Sequence, residues 1–288
     1  MLDDFLRHTL ALAVFPVVEV AVVLRERQRA REVAVRNVGV QRIAVALELE
    51  GEPLELVHLL GWRHRGNERR VAGVAGVVRE GILPGYLGYE TGQAAVGDAF
   101  DWLRKLTGQP DFVALGREAA ALPPGADGVR CMDWFNGCRT PLMDGGLKGA
   151  FTGLALHHRP AHLYRALLEA SAFGVRWIVE LLRDGGVPVR KFVATGGLPH
   201  HNPLVVQVYA DVLGEPIAVH PSRQGPALGS AILGALAAGA FKSPADAIRA
   251  MAVRKEAAVF KPDRAHLTRY RALYREYRRL GDFLSVKR

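Results

Sequence analysis

Cysteine is nearly absent from this chain: Cys131 and Cys138 are the two among 288 residues. That excludes the disulfide framework of small secreted domains, and a reducing compartment, the cytoplasm, is the expectation. The two lie seven apart with no second pair and no nearby histidine at ligand spacing, so they form no metal motif. Lysine is missing altogether from Met1 to Arg70, where Arg, Val, Ala, Leu and Glu dominate. Long apolar runs are lacking as well. The stretch TLALAVFPVVEVAVVL, residues 9–24, is broken by Pro16 and Glu19. It falls short of the roughly 20 residues of a spanning helix and has no basic leader of the usual kind, so neither a membrane anchor nor a secretion signal is expected.

What is present is ordinary for a soluble globular protein of one or two domains: 49% hydrophobic and 23% charged residues, in a chain long enough for a sizeable core. A formal charge of +9 raises the question of nucleic acid. Its distribution argues against that partner. Arg264, Arg269, Arg271, Arg275, Arg278 and Arg279 share one terminal helix, on which Leu267, Tyr270, Leu273, Tyr274 and Tyr277 form an apolar stripe. A solvated basic face is the plainer reading.

Two textures meet near residue 70. Before it, REVAVRNVGV and QRIAVALELE alternate like strands, but with poor turn chemistry between them. After it the punctuation is orderly. GILPGYLGYETGQ reads as a loop, AAVGDAFDWLRKLTG as a helix closing on Gly108, GREAAALPPGADG as a surface excursion and VRCMDWF as a strand. NGCRTP is a loop. Leu163, Leu167, Ala170, Gly174, Trp177, Ile178 and Leu181 stripe a long helix ending at Gly185-Gly186.

The stretch KFVATGGLPHHNPLVVQVYADVLGEPI, residues 191–217, is the most patterned. Phe192, Val193 and Ala194 suit a short buried strand bounded by Gly196 and Gly197. Asn202 followed by Pro203 predicts a capped helix start, and Gly214 stops that helix. A strand, a glycine turn and a helix N-terminus can present backbone N–H groups to an anionic or polar ligand, or can simply connect. PIAVH is a further strand, and QGPALGSAILGALAAGAF a helix in which Gly225, Gly229, Gly234 and Ala235 permit close approach of an element or a ligand. Alternating strands and helices predict an α/β layered domain.

Six stretches carry a resemblance. GILPGYLGYETGQAAVGDAFDW, DWFNGCRTPLMDGGLKGAFTGL, LYRALLEASAFGVRWIVE, ATGGLPHHNPLVVQVYADVLGEPI, QGPALGSAILGALAAG and YRALYREYRRLGDF occur in the order and texture of the C-terminal domain of the FGGY family of carbohydrate kinases. The ribulokinase branch is the most similar. The resemblance covers residues 69–288 and leaves 1–68 unmatched. It implies an actin-like, ribonuclease-H-like ATPase domain, one of two that close around ATP and a sugar, with Mg²⁺ on the phosphates. By the same resemblance, Gly196 and Gly197 would let the backbone approach the nucleotide. Asn202 would cap its helix and lie near the adenosine, and Gln224, Gly225 and Ala227 would line the same cleft. Glu90, Gly92 and Gln93 match one family motif of structural character. Asn136, Arg139 and Thr140 match another, with Cys138 where arginine is commoner.

The implied activity is ATP-dependent phosphorylation of a ketose, L-ribulose first, in arabinose use; xylulose, glycerol and other polyols are alternatives. In the family the sugar site lies largely in an N-terminal domain, and a catalytic aspartate and a Gly-Thr-Ser phosphate loop precede the position of Pro84. Neither motif occurs in residues 1–68, where Asp3 and Asp4 are the aspartates present. No catalytic residue is therefore named. The chain reads as the C-terminal part of such a kinase, with residues 1–68 poorly ordered, out of frame or divergent. A nucleotide-binding remnant or an interaction module is the competing reading. A sugar partner is expected only with an N-terminal domain supplied, and homodimerisation is left open.

Overall fold

A computed structural model describes residues 12–14, 19–25, 44–46, 71, 73–74, 76–79, 86–187, 189–252 and 258–286. Strands β1 (Leu12–Val14), β2 (Glu19–Arg25), β3 (Ala44–Ala46), β4 (Gly76–Arg79) and β5 (Tyr86–Gly92) precede helices α1 (Gly97–Leu106) and α2 (Phe112–Ala120). Then come β6 (Arg130–Met132), β7 (Ala150–Thr152), α3 (Pro160–Asp184), β8 (Phe192–Ala194), α4 (Leu198–His201) and α5 (Pro203–Leu213). The rest is β9 (Ile217–Val219), α6 (Gly225–Ala237), α7 (Pro244–Met251), β10 (Ala258–Phe260) and α8 (Arg264–Ser285). The remainder of residues 1–68, including most of the two alternating segments, lies outside the described residues.

One sheet has the order β1-β8-β9-β10, with β1, β8 and β9 parallel and β10 antiparallel at its edge. A second has the order β3-β2-β5-β4. In it β2 runs antiparallel to β5 from Glu19 opposite Gly92 to Arg25 opposite Tyr86. The glycine-marked stretch expected to be a loop is thus a central strand over Tyr86–Gly92. Tyr89 and Thr91 are buried, and pairing on both edges outweighs the weak strand propensity of Gly88 and Gly92.

The excursion expected at residues 116–128 also begins differently, inside α2. Asp111 accepts from the N–H groups of Val113 and Ala114 at 2.7 and 2.9 Å, capping that helix. The long helix is α3, buried along most of its length. It packs against α1, α2, α5 and β6, and α8 closes over it with Tyr270, Leu273, Tyr274 and Tyr277 buried, as the stripe predicts. Leu267 is half-buried. Of the basic face, Arg278 departs: its guanidinium lies 3.9 Å from the Trp177 ring centre, while Arg264, Arg269, Arg271, Arg275 and Arg279 are exposed. Among the described residues, no helix is long and apolar enough to cross a membrane.

Candidate functional site

The site is built at the carboxyl ends of two neighbouring parallel strands, where α/β sheets present ligand crevices. After β8 the chain passes Thr195 and turns at Gly196, whose φ of +87° is left-handed and suits glycine alone among common residues. Gly197 is different. Its φ of −76° and ψ of −43° are right-handed helical, and it opens α4. The two glycines therefore do separate jobs: Gly196 makes the turn, and Gly197 leaves a side-chain-free start to a helix.

Asn202 stands between α4 and α5 but does not cap. No side-chain cap bond is made there; instead its Nδ2 donates to the Tyr164 hydroxyl at 2.7 Å. The capping expectation is corrected by a stronger competitor, a buried phenol on α3 that needs a partner. Pro203 at the first helical position and the left-handed Gly214 at the end of α5 (φ +72°) are as expected.

After β9, the His220 N–H donates to the Ala194 carbonyl at 2.8 Å, and His200 Nε2 lies 3.0 Å from the His220 carbonyl. These contacts tie the second junction to the first. Gln224 precedes α6 without capping it, its own N–H donating to Ser222 Oγ at 3.2 Å. Gly225 then packs against the first turn: a Cβ there would lie 2.6 Å from Thr195 Oγ1, 3.1 Å from Thr195 Cβ and 3.5 Å from the Gly196 nitrogen. Gly229 and Gly234, grouped with Gly225 in the sequence as close-approach positions, have nothing within 4 Å of a built Cβ. Gln224 and Ala227 are exposed beside the junction.

The structure thus brings Gly196 and Gly225 into contact, sets Gly197, Gln224 and Ala227 around them, and turns the Asn202 side chain back to α3. Thr195 and Tyr164 are the participants that the motif reading missed. Thr195 borders the Gly-Gly pair and was readable as part of the turn; Tyr164 carried no local signal. An uncapped helix start and a glycine turn side by side favour a polar or anionic group. Neither junction, 195–203 or 220–228, contains a carboxylate.

The two structural motifs also meet each other. Arg139 Nη2 donates to Glu90 Oε1 at 2.6 Å, and the Thr140 N–H donates to the Gly92 carbonyl at 3.1 Å. Gln93 Nε2 donates to Asp133 Oδ2 at 2.6 Å and to the Ser171 carbonyl at 2.9 Å, and the Tyr277 hydroxyl donates to Asp133 Oδ1 at 2.7 Å. Burial pushes the Asp133 carboxyl up to about 6.

Comparison with known proteins places the class: the solved structures that this chain resembles are sugar kinases with an actin-like ATPase fold. Against the xylulose kinase of Rhodospirillum rubrum the TM-score is 0.67 at 26% sequence identity, over 96% of this chain and 47% of that one. The sequence pattern of the FGGY family of carbohydrate kinases, C-terminal domain, matches residues 57–238. The chain belongs to that family. It is 43% identical to the ribulokinase of Shouchella clausii over 233 residues, covering 76% of this chain and 42% of that protein. With the ribulokinase of Mycolicibacterium smegmatis it is 39% identical over 270 residues, covering 88% of this chain and 47% of that one. The chain spans less than half the length of these curated relatives.

Proposed function

We propose that this chain supplies the nucleotide-binding half of an ATP-dependent ketose kinase, with L-ribulose as the sugar. The contact between Gly225 and the Thr195–Gly196 turn carries the reading, because it sets two glycine junctions and an uncapped helix start around one spot. Sequence kinship of 43% with a ribulokinase favours ribulose over the xylulose named for the structural neighbour. The division at residue 69, the adenosine contacts of Gly196, Gly197, Gln224, Gly225 and Ala227, and a cytoplasmic location belong to the same proposal.

In the reaction these residues bind and orient. Backbone N–H groups at the two junctions hold the nucleotide, the absence of side chains at Gly196 and Gly197 leaves room for it, and Gly225 lets α6 close against Thr195. Mg²⁺ supplies charge neutralisation on the transferring phosphates. With no carboxylate in either junction, the ion would arrive on ATP rather than be held by these turns. A carboxylate to accept the proton of the sugar hydroxyl has no counterpart in these turns either.

Saturation-transfer NMR at millimolar ATP or ADP tests the nucleotide site, and a coupled ADP-release assay with L-ribulose tests turnover. The expected result is nucleotide contact without phosphorylation by this chain alone. Absence of any nucleotide contact would overturn the proposed site and leave the family assignment standing. Turnover of ribulose would instead place the base and the phosphate loop within this chain. An inactive remnant that still binds nucleotide would remain silent when an N-terminal sugar-binding domain is supplied in trans.

A further inference from the structure

A second cluster lies on the surface, where the turn at residues 126–128 meets the loop before α3. Asp127, His157 and His158 each offer one ligand atom there, all within 4.8 Å of one another. We propose that Asp127, His157 and His158 form a site for a divalent transition ion of the zinc or nickel type.

The backbone beneath the cluster is unusually constrained. Gly125, Ala126, Asp127 and Gly128 all have positive φ, with Asp127 at φ 52° and ψ 37°. A non-glycine residue held left-handed is uncommon, and such strain collects where a side chain must be aimed. The Gly153 backbone lies against the Gly128 carbonyl with no room for a Cβ, so the two loops are fixed against each other. Asp127 is thereby presented to His157, whose Nε2 lies 3.1 Å from Oδ2. The His157 and His158 rings lie 4.2 Å apart, centre to centre.

The donor set defines the ion. Two imidazoles and one carboxylate suit zinc, nickel or copper, whereas Mg²⁺ prefers oxygen donors and keeps its waters. Asp127 and His157 supply the chelating pair, the ion replacing the proton that His157 Nε2 shares with Asp127. His158 joins at a cost. Its Nε2 lies 3.1 Å from the Asp127 carbonyl and its Nδ1 accepts from the Ala155 N–H at 2.8 Å, so ligation releases one of these bonds. The fourth position opens to solvent, since Asp127 and His157 are both exposed. His162, whose ring lies 5.0 Å from that of His158, is buried and accepts from the Arg159 N–H through Nδ1; it stands behind the pair rather than in the ligand set.

The test is calorimetric titration of the chain, without a polyhistidine tag, with ZnCl₂ at about pH 7.5. One ion per chain with micromolar affinity is expected, with no comparable heat from MgCl₂, and weaker binding in acid, where protons compete with the ion for the ligand atoms. His157→Ala and Asp127→Asn should each weaken binding about tenfold or more, and Asn keeps the left-handed backbone that Asp127 adopts. His158→Gln should weaken it as well. No saturable Zn²⁺ binding would overturn the proposal, as would affinity unchanged in both Asp127→Asn and His157→Ala. Affinity unchanged in His158→Gln alone would overturn the three-ligand set.

Discussion

Asn202 reaches away from its own helix and donates to the Tyr164 hydroxyl at 2.7 Å. This bond fastens the junction between α4 and α5 to the central helix α3, and Tyr164 is 1% exposed. Removing Asn202 therefore removes no cap bond but leaves a buried hydroxyl without its partner, which costs about 1–3 kcal/mol. Asn202→Ala is expected to lose that much stability in urea denaturation. Tyr164→Phe should cost less, and the double variant should be more stable than the sum of the two losses predicts. Strict additivity would show that the bond contributes nothing.

Gly196 and Gly197 should separate in the laboratory as they do in conformation. Gly196→Ala forces a side chain into φ +87° and is expected to lose about 1 kcal/mol or more. Gly197→Ala meets His201 Cδ2 at an ordinary 3.6 Å and should shift the melting temperature only slightly. If the proposed nucleotide contact is right, Gly197→Ala weakens ATP or ADP contact in saturation-transfer NMR while remaining folded. Unaltered nucleotide contact would assign Gly197 to the connection alone.

Gly225 offers a rescue experiment. The nearest obstacle to a Cβ is Thr195 Oγ1 at 2.6 Å, a side-chain atom that can be removed. Gly225→Ala should destabilise the chain by displacing α6 or the turn, by about 1–3 kcal/mol. Adding Thr195→Ala should recover part of that loss, incompletely, because alanine keeps the Cβ of residue 195, which lies 3.1 Å from the built Cβ. No recovery in thermal unfolding would place the clash elsewhere.

Asp133 makes stability depend on pH in the direction opposite to most carboxylates. Its folded value of about 6 exceeds the ordinary 3.8 because burial disfavours the charge. The folded chain thus holds a proton that the unfolded chain releases between those values. Its contribution is fully present below pH 3.8 and is lost as pH rises through about 6, worth about 3 kcal/mol at most. Relative to Asp133→Asn, the parent chain should gain stability as pH falls from 7 to 4, measured by urea titration at each pH. A pH-independent difference between the two would refute the shift.

Local chemistry written into the sequence determined a good part of this protein. The strand at Phe192, Gly214 as the stop of α5, the α3 stripe and the buried tyrosines of α8 are periodic or punctuated signals, set by contacts within a turn or two. Six ordered stretches were enough to identify the family. Tertiary structure decided the rest, because distance in sequence hides the partner. Tyr86–Gly92 became a strand once β2 and β4 supplied hydrogen bonds on both edges. Asn202 gave up its cap to a phenol 38 positions away, and Gly225 acquired its meaning from Thr195 on the neighbouring junction. Asp127 and His157, 30 positions apart, meet where Gly153, lacking a side chain, lets its backbone touch the Gly128 carbonyl. Propensity and capping act locally and can be read along a line, whereas a buried polar group takes whichever partner the packed core brings within bonding distance.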